Sequence, residues 1–282
     1  MGMRIWLAMV VALLVAAPAM AQSPQQVRRQ AEASMVVTGH VDIAADGTLS
    51  GYVLDGRDDL PGYVVELVDR AAAGWRFEPV EVDGVPVVAR AKMSLRMLAR
   101  PLEDGGYEVS IGSGSFGDYS DTATDHVTHR QMSPPYYPHT MAGRGIQGTV
   151  YLLLKVGRDG RVEDVVAERV NLRSYASVRE MERWRRAFTA SSISKAREWE
   201  FNPPTTGDQV DADYWVVRIP VEYGMSGQVA SGPRWQQYVP GPELDPPAWL
   251  RAVPGAPRSD AQVAGRIEMV GRERRLLTPL QG

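Results

Sequence analysis

Trp199-Glu200-Phe201-Asn202-Pro203 has a counterpart in the first half of the chain, Trp75-Arg76-Phe77-Glu78-Pro79. Working outward from the two pentads gives one plan twice. Ahead of the first, Val64, Leu67, Val68, Ala71 and Trp75 share one helical face behind Asp58, Asp59 and Pro61, and Ile193, Ala196 and Trp199 are spaced alike in the second. Further upstream each half carries a hairpin closed by Asp-Gly: Val36 to Ile43 turning at Asp46-Gly47, and Thr149 to Val156 turning at Asp159-Gly160. Gly takes the positive φ that such turns require. After a polar turn each half closes with a strand, Val85 to Leu98 and Tyr214 to Tyr223. The order strand, strand, helix, strand, repeated, predicts an α+β protein of two small domains, each a helix packed on a short antiparallel sheet. Trp75, Phe77, Trp199 and Phe201 are expected in the cores, since large aromatics at element junctions bury their area.

The 282 residues suffice for two such domains, and 44% hydrophobic with 23% charged residues is ordinary globular composition. Lys plus Arg number 31 against 34 Asp plus Glu, so nothing points to nucleic acid as a partner. Without cysteine there are no disulfides, no thiolate chemistry and no Cys-bound metal, and each domain depends on its apolar core. Residues 1–21 combine Arg4, an apolar run from Ile5 to Ala17, and Ala19-Met20-Ala21, the pattern of a cleaved secretory signal peptide. The domains then fall at 35–100 and 132–225, joined by a Gly/Ser-rich linker, 101–131, with one strand at Tyr107 to Ile111. Residues 226–282 are expected to form a Pro-rich extended tail with a short helix near Gln262 to Val270. The charges of Arg173 to Arg186 suggest a solvated helical insertion.

Three motifs suggest chemistry. Gly112-x-Gly114-x-x-Gly117 matches a dinucleotide fingerprint by letter, but no helix opens after it to cradle a phosphate, so a flexible loop is expected. Ser192-x-x-Lys195 lacks the partner motifs of acylating enzymes and falls within the second helix. Asp125, His126 and His129 lack a third fixed metal ligand, and solvated linker histidines are expected. The many carboxylates show no readable pairing. No catalytic residue, metal or cofactor is therefore assigned.

Pro134-Pro135-Tyr136-Tyr137-Pro138, Gly145-Ile146-Gln147-Gly148-Thr149-Val150, Asp159-Gly160-Arg161-Val162, Trp199-x-Phe201-x-Pro203 and the closing Ile219-Pro220-Val221 together resemble the TonB C-terminal domain family over about 134–225. The first half, about 35–100, is similar in its Asp-Gly turn and Trp-x-Phe-x-Pro but lacks the lead-in Tyr136-Tyr137-Pro138, which makes it a degenerate copy. The resemblance implies a non-enzymatic periplasmic protein that takes N-terminal peptides of outer-membrane receptors, or other envelope proteins, as an added strand. The edge expected to receive them is Tyr214, Trp215, Val216, Val217, Arg218 and Ile219, whose outward N–H and C=O groups suit β-augmentation. Pairing of two copies through edge strands stays open. Two departures stand out: Pro134 replaces the Gln of well-known members, and no His precedes His40. Rival expectations are a short membrane-anchored energy transducer, if the signal is uncleaved, and an envelope hydrolase that uses the fold as scaffold.

Overall fold

The computed structural model describes residues 27, 30–82, 84–117, 124–224, 233–251, 253 and 266–281; the expected signal peptide lies outside them. Among the described residues no helix is long and apolar enough to cross a membrane.

In chain order, β1 (Glu32–Ile43) and β2 (Leu49–Leu54) lead to α1 (Gly62–Ala72). There follow β3 (Val80–Val82), β4 (Val85–Val87), β5 (Ala89–Pro101) and β6 (Tyr107–Gly117). The second half runs β7 (Thr128–Gln131), α2 (His139–Ala142), β8 (Gly148–Gly157), β9 (Val162–Leu172), α3 (Val178–Ala196), β10 (Glu200–Asn202) and β11 (Tyr214–Tyr223). The C-terminal stretch contributes β12 (Gln236–Tyr238), α4 (Ala248–Arg251) and β13 (Glu268–Met269). The fold is thus α+β, with a five-stranded antiparallel sheet ordered β12-β1-β5-β6 with β2 also on β1, a four-stranded one ordered β13-β11-β8-β9, and two two-stranded ribbons, β10-β7 and β3-β4.

The two Asp-Gly turns and the two pentads are joined by the same hydrogen bonds. Asp46 accepts the Thr48 N–H at 3.0 Å, and Asp159 accepts that of Arg161 at 2.9 Å. Gly47 and Gly160 have φ of 80° and 78°. Their carbonyls accept the Phe77 and Phe201 N–H at 2.7 and 2.8 Å, so each pentad is sewn to the hairpin turn of its own half. A Cβ on either glycine would lie 2.1 Å from the carbonyl oxygen of that phenylalanine. Here a side chain is excluded by both φ and space. All four pentad aromatics are buried. Trp75 donates to the Leu280 carbonyl and Trp199 to that of Ser133. On α3, Met181, Trp184, Phe188, Ser192 and Ala196 form the buried stripe, while Arg179, Arg183 and Arg186 face outward on a helix continuous with the one expected further along.

Four expectations need correction. Residues 101–131 are not chiefly a linker: β6 pairs with β5 from Lys92 to Pro101, and Phe116 meets Trp75 and Phe77 edge-on at 5.4 and 5.0 Å. Its small residues serve close packing, since a Cβ on Gly112 would lie 2.2 Å from Leu98 Cδ1 and one on Gly114 2.8 Å from Leu280 Cδ2. The strand expected from Val85 to Leu98 is broken at Val88, because β3 and β4 fold into a hairpin of their own. The described residues after 225 do not trail away. β12 adds to β1 at Glu32 to Ser34, and Val239 then bridges Leu172 on β9, which ties the two sheets together. Finally, the described residues of the expected helix near 262–270 are not helical, and Glu268–Met269 among them form strand β13; residues 261–265 lie outside the described residues.

Candidate functional site at the β11 edge

β11 has one neighbour along its whole length, β8, with Tyr214 opposite Gly157 and Tyr223 opposite Gly148. Its other edge is met by β13, with Val217 opposite Met269 and Arg218 opposite Glu268. The Val270 N–H donates to the Val216 carbonyl at 2.8 Å. In an antiparallel ladder a residue's N–H and C=O point to the same side and alternate along the strand. Val216, and with it Tyr214, Arg218, Pro220 and Glu222, therefore turn their backbone toward the outer edge, while Trp215, Val217 and Ile219 bond to β8. Pro220 brings no N–H to that edge. Strand pairing on it is best supported from Tyr214 to Arg218, and β13 takes Val217 and Arg218 of that stretch.

Side chains divide by the same parity. Trp215, Val217, Ile219, Val221 and Tyr223 join the helix-side core. Tyr223 stacks on Phe188 at 4.2 Å and shares a 2.9 Å hydrogen bond with Ser192; burial raises its pKa. On the opposite face Val216 packs with Leu153, Leu250 and Val270, and Tyr214 donates to the Trp249 carbonyl at 2.9 Å while Lys155 lies over its ring. Tail residues therefore cover the back of the sheet.

Arg218 lies within that covered face. Its side chain is 0% exposed, and it grips Glu168 of β9 through two hydrogen bonds, at 2.9 and 3.2 Å. Glu268 of β13 stands 4.0 Å away on its other side. Burial works against the guanidinium charge, but Glu168, with Glu268 and Glu273, outweighs it and holds the pKa above its usual range. Glu273 is pushed well above the usual carboxyl range, by burial first and then by its hydrogen bond to Glu268 and that residue's charge, with Arg218 pulling the other way. A buried guanidinium shared among three carboxyls thus joins β9, β11, β13 and the residues beyond.

The lead-in motif is split. Tyr136 is 82% exposed. Tyr137 packs edge-on against Phe188 and Tyr223 at 6.0 and 5.4 Å and donates to the Ile146 carbonyl, and Pro138 caps α2. The lead-in and the distal end of β11 thus meet through Tyr137 and Tyr223. In the first half the edge equivalent to that of β11, the outer side of β5, is filled by β6.

The other motifs do not converge. Ser192 is buried against Tyr223, and Lys195 pairs with Glu198 at 2.7 Å on the surface. Gly112, Gly114 and Gly117 lie within β6. His126 bonds to Asp125 at 2.6 Å, Arg272 pairs with that carboxylate, and His129 stands opposite Phe201 on β7. Among the described residues no group of three His, Asp or Glu is placed to hold a metal ion. The carboxyl cluster around Arg218 was not foreseen; its one signal was a charge within the apolar run Trp215 to Val221.

No family model matches the chain. Protein TonB of Xanthomonas campestris pv. campestris, in two strains, is 29% identical over 104 residues, which is 37% of this chain and 40% of the relative. The chain therefore spans about 40% of the length of these curated relatives. The solution NMR structure of the Pseudomonas aeruginosa TonB CTD aligns over 39% of this chain and 94% of its own, at 21% identity and a TM-score of 0.25, too slight a likeness to bear on function. The motifs and the curated relatives agree, and the family this chain resembles is that of the TonB C-terminal domain.

Proposed function

We propose that this is a non-enzymatic periplasmic protein of two tandem TonB-like units, delivered across the inner membrane by the cleaved segment 1–21, which binds peptides of outer-membrane receptors by strand addition. The observation that carries this is the outer edge of β11, which turns the backbone of Tyr214, Val216 and Arg218 outward and accepts an antiparallel strand there. Main-chain hydrogen bonds supply affinity in such pairing, and alternate side chains supply selectivity. The matching hydrogen bonds at the two Asp-Gly turns support reading the first half as a second copy. In that copy β6 already holds the corresponding edge, so capture is assigned to the second unit alone.

Titration of labelled receptor N-terminal peptides against the full chain tests this. Val216→Pro removes an outward N–H and should abolish capture, while Val216→Ala, which keeps it, should weaken capture only modestly. If wild-type protein binds none of these peptides while circular dichroism reports an intact fold, strand addition of receptor segments is refuted.

A further inference from the structure

The C-terminal residues place a strand where the proposed ligand would go. β13 pairs with β11 over only Val217 and Arg218, whereas β8 pairs with β11 from Tyr214 to Tyr223. Because Pro220 offers no donor, an incoming strand has little useful edge beyond these positions. It would need the Val216 carbonyl that the Val270 N–H already occupies at 2.8 Å.

We propose that Arg266–Gly271 is an internal occupant of the β11 edge that must leave before an external strand can pair there, so that the protein is autoinhibited by its own C-terminal strand. This rests on strand addition at β11 but not on the identity of the external peptide. Three anchors hold the occupant. Met269 enters the helix-side core and Val270 the cluster of Leu153, Val216 and Leu250. Glu268, 1% exposed, stands 4.0 Å from the Arg218 guanidinium. The occupant also indicates what the edge prefers: an extended segment that sets a carboxylate at the level of Arg218 and an apolar side chain at the level of Val217.

The chain has no cysteine, so an introduced thiol pair is unambiguous. Val217 and Met269 face each other at a position where Val217 bonds away from β13, the closer-spaced type of cross-strand pair. The double variant V217C/M269C, oxidised, should hold β13 in place. The probe is a fluorescent peptide with the chain's own sequence Arg-Ile-Glu-Met-Val-Gly, added to the full-length protein. The oxidised variant should show no binding, and reduction should restore the level of wild type. Val270→Pro deletes the donor to Val216 and should raise apparent affinity about fivefold, the equivalent of one main-chain hydrogen bond at roughly 1 kcal/mol. Should that variant fail to fold, the thiol pair alone decides. Equal binding by the oxidised and reduced double variant overturns the proposal, as does a well-folded Val270→Pro protein without gain. If the self-peptide behaves as expected while receptor peptides never bind, the edge and its occupant stand and the receptor assignment falls.

Discussion

Replacing Arg218 by Met should be among the most damaging single changes in the second unit, and the damage should depend on pH. The guanidinium is fully buried, bonds Glu168 at 2.9 and 3.2 Å, and stands 4.0 Å from Glu268. At an effective dielectric near 20, one pair about 4 Å apart is worth roughly 4 kcal/mol before desolvation is counted. Burying the charges offsets most of that in the intact cluster. Removing the single cation leaves the carboxylates buried without it, which typically costs about 3–5 kcal/mol, a large part of the roughly 5–15 kcal/mol that holds a domain folded. The variant can recover by taking up protons. The folded-state pKa of Glu273 already lies above its ordinary value of 4.5 despite the opposing pull of Arg218, and it should rise further once that pull is gone. A carboxyl whose pKa is raised on folding contributes stability that is complete below the unfolded value and is lost as pH climbs through the folded one. The deficit relative to wild type should therefore be smaller near about pH 5 than near about pH 8. Urea unfolding followed by tryptophan fluorescence at both pH values measures it. Adding Glu168→Met to Arg218→Met removes one stranded carboxylate, and the double variant should be the more stable of the two. A single variant within about 1 kcal/mol of wild type, or a deficit independent of pH, would refute the view that Arg218 balances these carboxyls.

Other expectations concern the turns, the aromatic plugs and the tail. Gly47→Ala and Gly160→Ala should each destabilise by more than the roughly 1–2 kcal/mol of a left-handed backbone alone, because the new Cβ meets a carbonyl at 2.1 Å; comparable losses in urea denaturation are expected at both sites. Trp199→Ala should cost about 3–5 kcal/mol by cavity formation, read by calorimetry as a lower melting temperature. Glu273→Gln keeps the hydrogen bond to Glu268 without a titrating proton, so its stability should fall less than that of wild type as pH rises above 4.5, measured by thermal melts across that range.

What was legible in the sequence is what local chemistry dictates. An Asp that bonds the N–H two residues on, followed by Gly at positive φ, needs no distant partner to be recognised, and both hairpins were placed from Asp46-Gly47 and Asp159-Gly160. The Trp-x-Phe-x-Pro pentads follow each helix directly, and their burial follows from size. By contrast, the latter part of β6, residues 110–117, reads Ser-Ile-Gly-Ser-Gly-Ser-Phe-Gly, a composition that suits a linker when taken alone. Gly112 and Gly114 lie where Leu98 and Leu280 press on the strand, and Leu280 lies far off in the chain. Sequence periodicity cannot supply a contact of that range.

The candidate site divides along the same line. Tyr214 to Ile219 was identifiable as a closing strand, and the outward turn of alternate residues follows from any antiparallel pairing, but which parity faces out depended on one hydrogen bond from Val270. The tail was harder still, because β12 and β13 span three and two residues and have no periodicity to detect. Their role comes from what they cover. An edge strand with a free row of donors and acceptors invites unselective pairing, so a chain that must bind one strand and refuse others gains from a short resident competitor. A competitor paired at two positions is weak enough to be displaced. Its buried carboxylate beside Arg218 makes displacement by a segment lacking a matching charge costly, since leaving Arg218 without Glu268 unbalances a cluster whose guanidinium is fully buried. Arg218 is then the residue at which the strength of self-pairing and the selectivity for an external strand are set together.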